Sequence, residues 1–335
     1  MTFLLLLLLV AVLLGPFIFS IAERQLELYL FMLGICAVWT SGVWSRSLFF
    51  TVLTDPLAIT CAVLIAGWLF RIFQQPFGKA ISFAARHIPA RIFAALIVIT
   101  IGLISSFITA IIAAILLVSI VSLLNYDRQT RIRLVIISCY SIGLGAVLTP
   151  LGEPLSTIAT SRLGETFFYL FTLLGSDVVI AILLLGVIAG IVIPPPSINR
   201  RNGKNLEKES WSAIISRSGK VYIFVMALTL LGTGFEPLLH PVLDGKSPAF
   251  LYWANMISAV LDNATLASIE LSSTMDEPTI RAILMGLLIS GGMLIPGNIP
   301  NIIAAGKLSI TSKEWARFGL PFGLFAMMIY FFVVF

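Results

Sequence analysis

Charge is scarce in this chain. Of 335 residues only 16 are acidic and 21 basic, 11% in all, against about a quarter in an ordinary soluble domain. Hydrophobic residues make up 59% and mean hydropathy is +1.05, so there are too few polar side chains to cover a water-facing surface. A soluble fold is excluded, and no nucleic-acid partner is expected. Cysteine is equally sparse: Cys36, Cys61 and Cys139 lie in apolar segments without paired spacing or a nearby His, which argues against a disulfide framework or a metal centre. The two histidines, His87 and His240, fall near predicted surfaces. Gly-x-Ser-x-Gly and His-Glu-x-x-His are both absent, as is the Gly-x-Gly-Asp pattern that would let Asp55 and Asp262 act as an aspartyl pair, so neither an enzyme nor a cofactor is expected. Long polar stretches are missing too. The longest, 194–220, opens on three prolines and carries Asn199-Arg200-Arg201-Asn202-Gly203-Lys204, and it reads as a linker.

What the chain has is apolar length. Segments at about 2–20, 28–45, 47–70, 92–124, 134–160, 166–193, 221–239, 249–273, 280–305 and 316–335 suit a lipid bilayer, in which a spanning helix takes roughly 20 residues. The first resembles a signal sequence but has no basic start and no small-x-small cleavage site, so it reads as a helix. Segment 92–124 is long for one span and is interrupted by Ser105-Ser106-Phe107-Ile108-Thr109; 249–273 is interrupted by Ser258-Ala259-Val260-Leu261-Asp262-Asn263-Ala264-Thr265. If both are re-entrant hairpins, the loops 71–91, 125–133, 194–220 and 306–317 share one side, and they hold sixteen of the 21 Lys and Arg residues. That is the cytoplasmic side by the positive-inside rule. Were 92–124 a full crossing instead, the basic loops 71–91 and 125–133 would face opposite sides. Arg46, Glu23 and Glu27 fit the arrangement less well than the rest.

The two interruptions align at an offset of 153 residues, Ser105 on Ser258. The next segment of each half repeats as well: Thr149-Pro150-Leu151-Gly152-Glu153-Pro154-Leu155-Ser156-Thr157 faces Leu294-Ile295-Pro296-Gly297-Asn298-Ile299-Pro300-Asn301-Ile302, at an offset of 145. Proline and glycine inside a long apolar stretch break a helix. The expected fold is therefore an all-α membrane protein, a polytopic bundle with an inverted-topology repeat, two re-entrant helical hairpins and two broken transmembrane helices. Residues 1–46 form N-terminal helices, 47–193 the first repeat, 194–220 a cytoplasmic linker and 221–335 the second repeat. Such repeats bring hairpin tips and helix breaks together near the bilayer midplane, where they bind a substrate.

The small-polar tips, the Gly152-Glu153-Pro154 and Gly297-Asn298 breaks and the Asp262-Asn263 pair resemble the ion transporter superfamily over roughly residues 47–335. That superfamily includes sodium/proton antiporters and sodium-coupled carboxylate, citrate and arsenite carriers. Within it the short chain is most similar to an uncharacterised family of cation transporters. The resemblance implies a multi-pass protein of the plasma (cell inner) membrane whose partners are the lipid bilayer, a small inorganic ion and, as a homodimer, a second copy of itself. The Ser-Asn-Thr motif of the carboxylate carriers is not intact here, and the acid Asp262 stands before Asn263 and Thr265, which favours cation chemistry.

The candidate ion-binding residues are Asp262, Asn263, Glu153, Gly152, Asn298, Gly297, Asn301, Ser105, Ser106, Thr109, Thr149, Ser156, Thr157, Ser258 and Thr265. Na⁺ is placed at Asp262, Asn263, Glu153 and Asn298, since hard cations take oxygen ligands. An intramembrane carboxylate costs about 2.5 to 3.5 kcal/mol and is functional by default. The plainer roles are a helix N-cap for Asp262, backbone satisfaction for Glu153 and the asparagines, and interhelical packing for the hydroxyls. Asp55 and Asp177 lie off the cluster as candidate proton relays. The leading function is Na⁺/H⁺ antiport by competition at the carboxylates; the alternative is a sodium-coupled symporter of a small anion or oxyanion, disfavoured by the lack of Arg or Lys at the tips. A channel shares the same sequence features. Cysteines introduced singly into 71–91 and 125–133, with the three native ones replaced by Ser, are expected to react with an impermeant maleimide from the cytoplasmic side only. Reaction of the two from opposite sides would exclude the first hairpin.

Overall fold

The computed structural model describes residues 2–19, 22, 25–124, 126–194, 210–243, 245–261 and 263–335. Asp262, Glu23 and the linker stretch 195–209 lie outside the described residues. Among those described, all regular structure is helical. Helices α1 (Thr2–Ile18), α2 (Leu26–Ser41) and α3 (Arg46–His87) precede α4 (Ala90–Ile108), α5 (Ala110–Leu123), α6 (Arg128–Ala146), α7 (Pro154–Leu163) and α8 (Tyr169–Val192). Then come α9 (Trp211–Leu243), α10 (Pro248–Ala254), a 3₁₀ turn (Asn255–Ala259), α11 (Asn263–Glu270) and α12 (Glu277–Gly291). A second 3₁₀ turn (Ile295–Gly297), α13 (Ile299–Leu308) and α14 (Ser312–Val334) complete the chain.

Local chemistry sets many of these limits. Asp127 caps α6 by accepting from the Thr130 amide at 3.1 Å, and Thr311 with Glu314 forms a capping box on α14. Gly42 and Gly164 end α2 and α7 at φ of 72° and 71°, a backbone that glycine adopts without strain. Two boundaries depart from expectation. The stretch 71–91 does not leave the helix as a loop, because α3 runs unbroken to His87 and stops where Ile88 turns extended before Pro89. Basic residues mark where a chain leaves the apolar layer, yet Arg and Lys are good helix formers and do not end a helix. In the same way residues 211–220, expected as linker, already belong to α9.

Among the described residues, four helices are long and apolar enough to cross a membrane: Ala90–Ile108, Tyr169–Val192, Ile214–Leu239 and Ser312–Val333. Two of them carry bare apolar faces, with Ile180, Leu184, Val187 and Ile191 exposed on α8 and Phe325, Met328, Phe332 and Val333 on α14. Water would not tolerate faces of that extent, and lipid would.

The helices meet through small residues. A side chain at Gly34 on α2 would come within 2.8 Å of Leu230 Cβ on α9, and one at Gly234 on α9 within 2.7 Å of Ala37 Cβ. Gly102 and Gly145 let α4 and α6 touch backbone to backbone, since a Cβ on Gly145 would lie 1.8 Å from the Gly102 carbonyl oxygen. Across the two halves, α5 packs on α13 and α7 on α11. Two polar clasps join elements far apart in sequence. Arg128 forks onto Glu314 at 2.9 and 2.7 Å while donating to the Leu308 and Ser309 carbonyls. Asp177 on α8 pairs with Arg281 of α12 at 3.0 Å and accepts from the Tyr330 hydroxyl of α14 at 2.7 Å.

Replacing Gly234 by Val tests the α2–α9 contact. Overpacking a close interface costs about 1 to 3 kcal/mol, so the thermal unfolding midpoint in detergent should fall, whereas Gly219→Val, with open space around the position, should leave it nearly unchanged.

Candidate functional site

The site is built at the four places where helices stop inside the apolar body. The first is the turn between α4 and α5. Thr109 holds φ at 70°, and its Oγ1 accepts from the Ile112 amide at 3.4 Å. The Ala110 amide, at the start of α5, donates to the Gly152 carbonyl at 2.8 Å, which ties this turn to the break between α6 and α7. Thr149 reinforces the join by donating to the Ser106 carbonyl at 2.6 Å.

In that break Thr149-Pro150-Leu151-Gly152-Glu153 leaves the helix and Pro154 restarts it at the first position of α7, where a missing N–H costs nothing. Glu153 is the N-cap, extended at φ −157° and ψ 164°, and buried. Its amide donates to Ser156 Oγ at 3.4 Å, and Ser156 Oγ donates to the Glu153 carbonyl at 2.7 Å. Its carboxylate therefore stands at the N-terminal, positive end of a helix dipole.

The second break has the same design. Asn298 is the N-cap of α13, extended at φ −154° and ψ 145°, so the residue aligned with Glu153 at the offset of 145 adopts the same backbone with an amide in place of the acid. Other contacts recur at the same offsets. Gly152 lies against the Ala146 carbonyl, where a Cβ would sit 1.9 Å away, and Gly297 lies against the Gly291 carbonyl at 2.5 Å. Ser105 Oγ donates to the Ile142 carbonyl at 3.0 Å, and its counterpart Ser258 Oγ donates to the Leu287 carbonyl at 3.2 Å.

The expected residues fall into groups. Ser105, Ser106, Thr109, Thr149 and Gly152 come together around the first turn and break. Ser258, Asn263 and Gly297 come together around the second: a Cβ on Gly297 would be 2.7 Å from the Ser258 carbonyl, and one on Gly291 3.7 Å from Asn263 Nδ2. Asn298 reaches across to the first half, its Nδ2 2.7 Å from where a Cβ on Gly143 of α6 would be. Asn263 Nδ2 is buried without a partner among the described residues.

Several candidates act as ties. Asn301 Nδ2 donates to the Gly291 and Leu294 carbonyls at 2.8 and 2.9 Å, satisfying backbone freed by the second break. The hydroxyl protons of Ser105, Ser106, Thr149 and Ser258 likewise go to carbonyls, although their oxygens can still accept or ligate. Thr157 is exposed and donates to the Pro150 carbonyl at 2.6 Å. Asp177 sits in its clasp with Arg281 and Tyr330, away from both breaks. The side chains of Asp55 and Thr265 lie outside the described set, as does Asp262.

Two residues were not singled out from sequence. Glu270, the last residue of α11, is buried, and Asn255, fully buried in the 3₁₀ turn, donates through Nδ2 to Glu270 Oε2 at 2.9 Å. Residues 255 and 270 flank the second interruption, so this bond joins the two arms around it. The signal was a lone acid close after the tip in an otherwise apolar stretch.

A family model described as a protein of unknown function, DUF1646, matches residues 2–335, and no curated protein matches the chain. Asn301→Ala would strand the Gly291 and Leu294 carbonyls, at about 1 to 3 kcal/mol for each buried group left unpaired. Its thermal midpoint in detergent should fall well below that of Asn298→Ala, whose Nδ2 makes no such donation to break carbonyls among the described residues; equal midpoints would remove the distinction between the two asparagines.

Proposed function

We propose that this chain, which belongs to the DUF1646 family, is a multi-pass secondary transporter of a small inorganic cation, exchanging Na⁺ for H⁺ at carboxylates held at a hairpin tip and a helix break. The reading carries with it the inverted repeat, the two re-entrant hairpins, a homodimer and a plasma-membrane location.

One observation supports it above the others: two interrupted segments, 145 to 153 residues apart, repeat the same backbone breaks and contacts, and each half packs its returning helix on the other half's broken helix, α5 on α13 and α7 on α11. Irregular backbone inside an apolar protein is stable only when buried against protein or lining a cavity, and paired breaks are how carriers assemble a midplane site. Glu153 supplies a carboxylate there, and Asn298, Asn263, Ser156 and Thr109 supply amide and hydroxyl oxygens suited to a hard cation. Asp262, between Leu261 and Asn263, is the second acid of the scheme. A cation would bind the ionised carboxylates, a proton would displace it, and the two would leave on opposite sides.

A second reading has its own support. The neutral cap Asn298 leaves the N-terminus of α13 without an acid, and such a helix end suits an anion. In that case the cation would be co-transported with a small anion or oxyanion.

Proton flux in proteoliposomes, driven by a panel of alkali cations, tests the proposal. Acid should inhibit transport, and raising Na⁺ should relieve the inhibition. Asp262→Asn should abolish exchange in a folded protein, and Glu153→Gln should abolish it or change the charge moved per cycle. Wild-type rates with an unchanged pH profile in both variants would make the acids structural, and no flux with any cation would turn the assignment to the anion.

A further inference from the structure

Glu270 and Asn255 form a pair that the scheme above does not use. Both are buried, Glu270 at 7% exposure and Asn255 at zero. Asn255 Nδ2 donates to Glu270 Oε2 at 2.9 Å and, at 3.4 Å, to the Ile283 carbonyl. Both neighbours are acceptors, so the atom that meets them is the amide nitrogen, and this identifies the other amide atom as Oδ1, an acceptor. The frame around Asn255 is tight: Ser290 Oγ donates to its carbonyl at 2.6 Å, and a Cβ on Gly286 would lie 3.2 Å from Asn255 Cβ.

Among the described residues, two polar atoms remain without a partner in this pair, Glu270 Oε1 and Asn255 Oδ1. Both accept when the acid is ionised. They belong to two side chains already joined through their other ends, and one hydrogen between them would satisfy both. Among the described residues no basic group compensates a charge there: the ion pairs are Arg128–Glu314, Lys220–Glu27 and Arg281–Asp177. On the elements packed against α11, Arg162 of α7, Lys220 and Glu236 of α9 and Glu277 of α12 are exposed, and Arg281 of α12 is held by Asp177. Glu153 caps α7; the side chains of Arg217 and His240 on α9 lie outside the described set. An ionised Glu270 would thus be a buried, uncompensated charge, which costs several kcal/mol. A metal ion fits poorly, because no cluster of three or more His, Cys, Asp or Glu occurs among the described residues, and a bridging water would leave the charge in place.

We infer that Glu270 is a proton-binding site, its Oε1–H donated to Asn255 Oδ1 so that acid and amide close a cyclic pair joining the 3₁₀ turn to α11. The proton comes from water and returns to it; no other bond is made or broken. Loss of the proton removes that hydrogen bond and loosens the arms on either side of the second interruption. Coupling of that event to ion exchange rests on the transport reading, while occupancy by the proton does not.

Infrared spectroscopy of the full-length protein in lipid at neutral pH tests it. The wild type should show a carboxylic-acid carbonyl band that shifts in D₂O, is lost in Glu270→Gln and persists in Glu153→Gln. Should Glu270→Gln fail to fold, Asn255→Ala keeps the acid and removes the amide, and the band should move to higher frequency as the carbonyl loses its donor. Absence of the band in the wild type, its retention in Glu270→Gln, or an unmoved band in Asn255→Ala would overturn the proton site. A chain that carries the band but moves no cation would retain the site and lose the transport reading, and the two failures are thereby distinguishable.

Discussion

An apolar chain that interrupts its own helices must satisfy the freed backbone from within, and most polar contacts described above answer that need. The breaks after Ala146 and Gly291 and the turn at Thr109 expose carbonyls and amides where water is scarce. Thr149, Ser105, Ser258, Ser290 and Asn301 supply donors to carbonyls, and the Ala110 amide finds the Gly152 carbonyl. Leaving such a group unpaired in an apolar interior costs several kcal/mol. The polar side chains are therefore placed first by the needs of the main chain, and only the lone pairs left over are open to a ligand.

That constraint separates residues which look alike in the sequence. Asn298 and Asn301 lie three positions apart in one short motif, yet Asn301 turns back onto two carbonyls of the preceding break while Asn298 faces the other half of the protein. Glu153 and Asn298 have the same extended backbone at the start of a ten-residue helix, but one is an acid and the other a neutral amide. The two halves are thus alike in shape and unlike in electrostatics.

Much of this was legible from residues alone. Proline and glycine within apolar runs located both breaks, and the recurrence of small polar residues located the turn at Thr109 and the interruption near Ser258, because these features act locally. Long-range pairing was less accessible. Nothing near Asp177 in sequence announces Arg281 or Tyr330, and the bond between Asn255 and Glu270 depends on how the arms return. The extent of α3 was missed for another reason: composition reports where apolar character ends, while a helix ends where its hydrogen-bonding pattern is blocked, here at Pro89.

The length of α3 has a mechanical consequence. Its 42 residues correspond to about 63 Å at 1.5 Å per residue, roughly twice the hydrocarbon thickness of a bilayer. An upright α3 would overshoot the membrane by about the length of its second half. A strongly tilted one would lay its C-terminal half, a stretch basic in sequence, along the layer of lipid headgroups. Because α3 also packs on α5 and α9, the thickness and surface charge of the surrounding lipid bear, through this one rod, on helices next to the interrupted core.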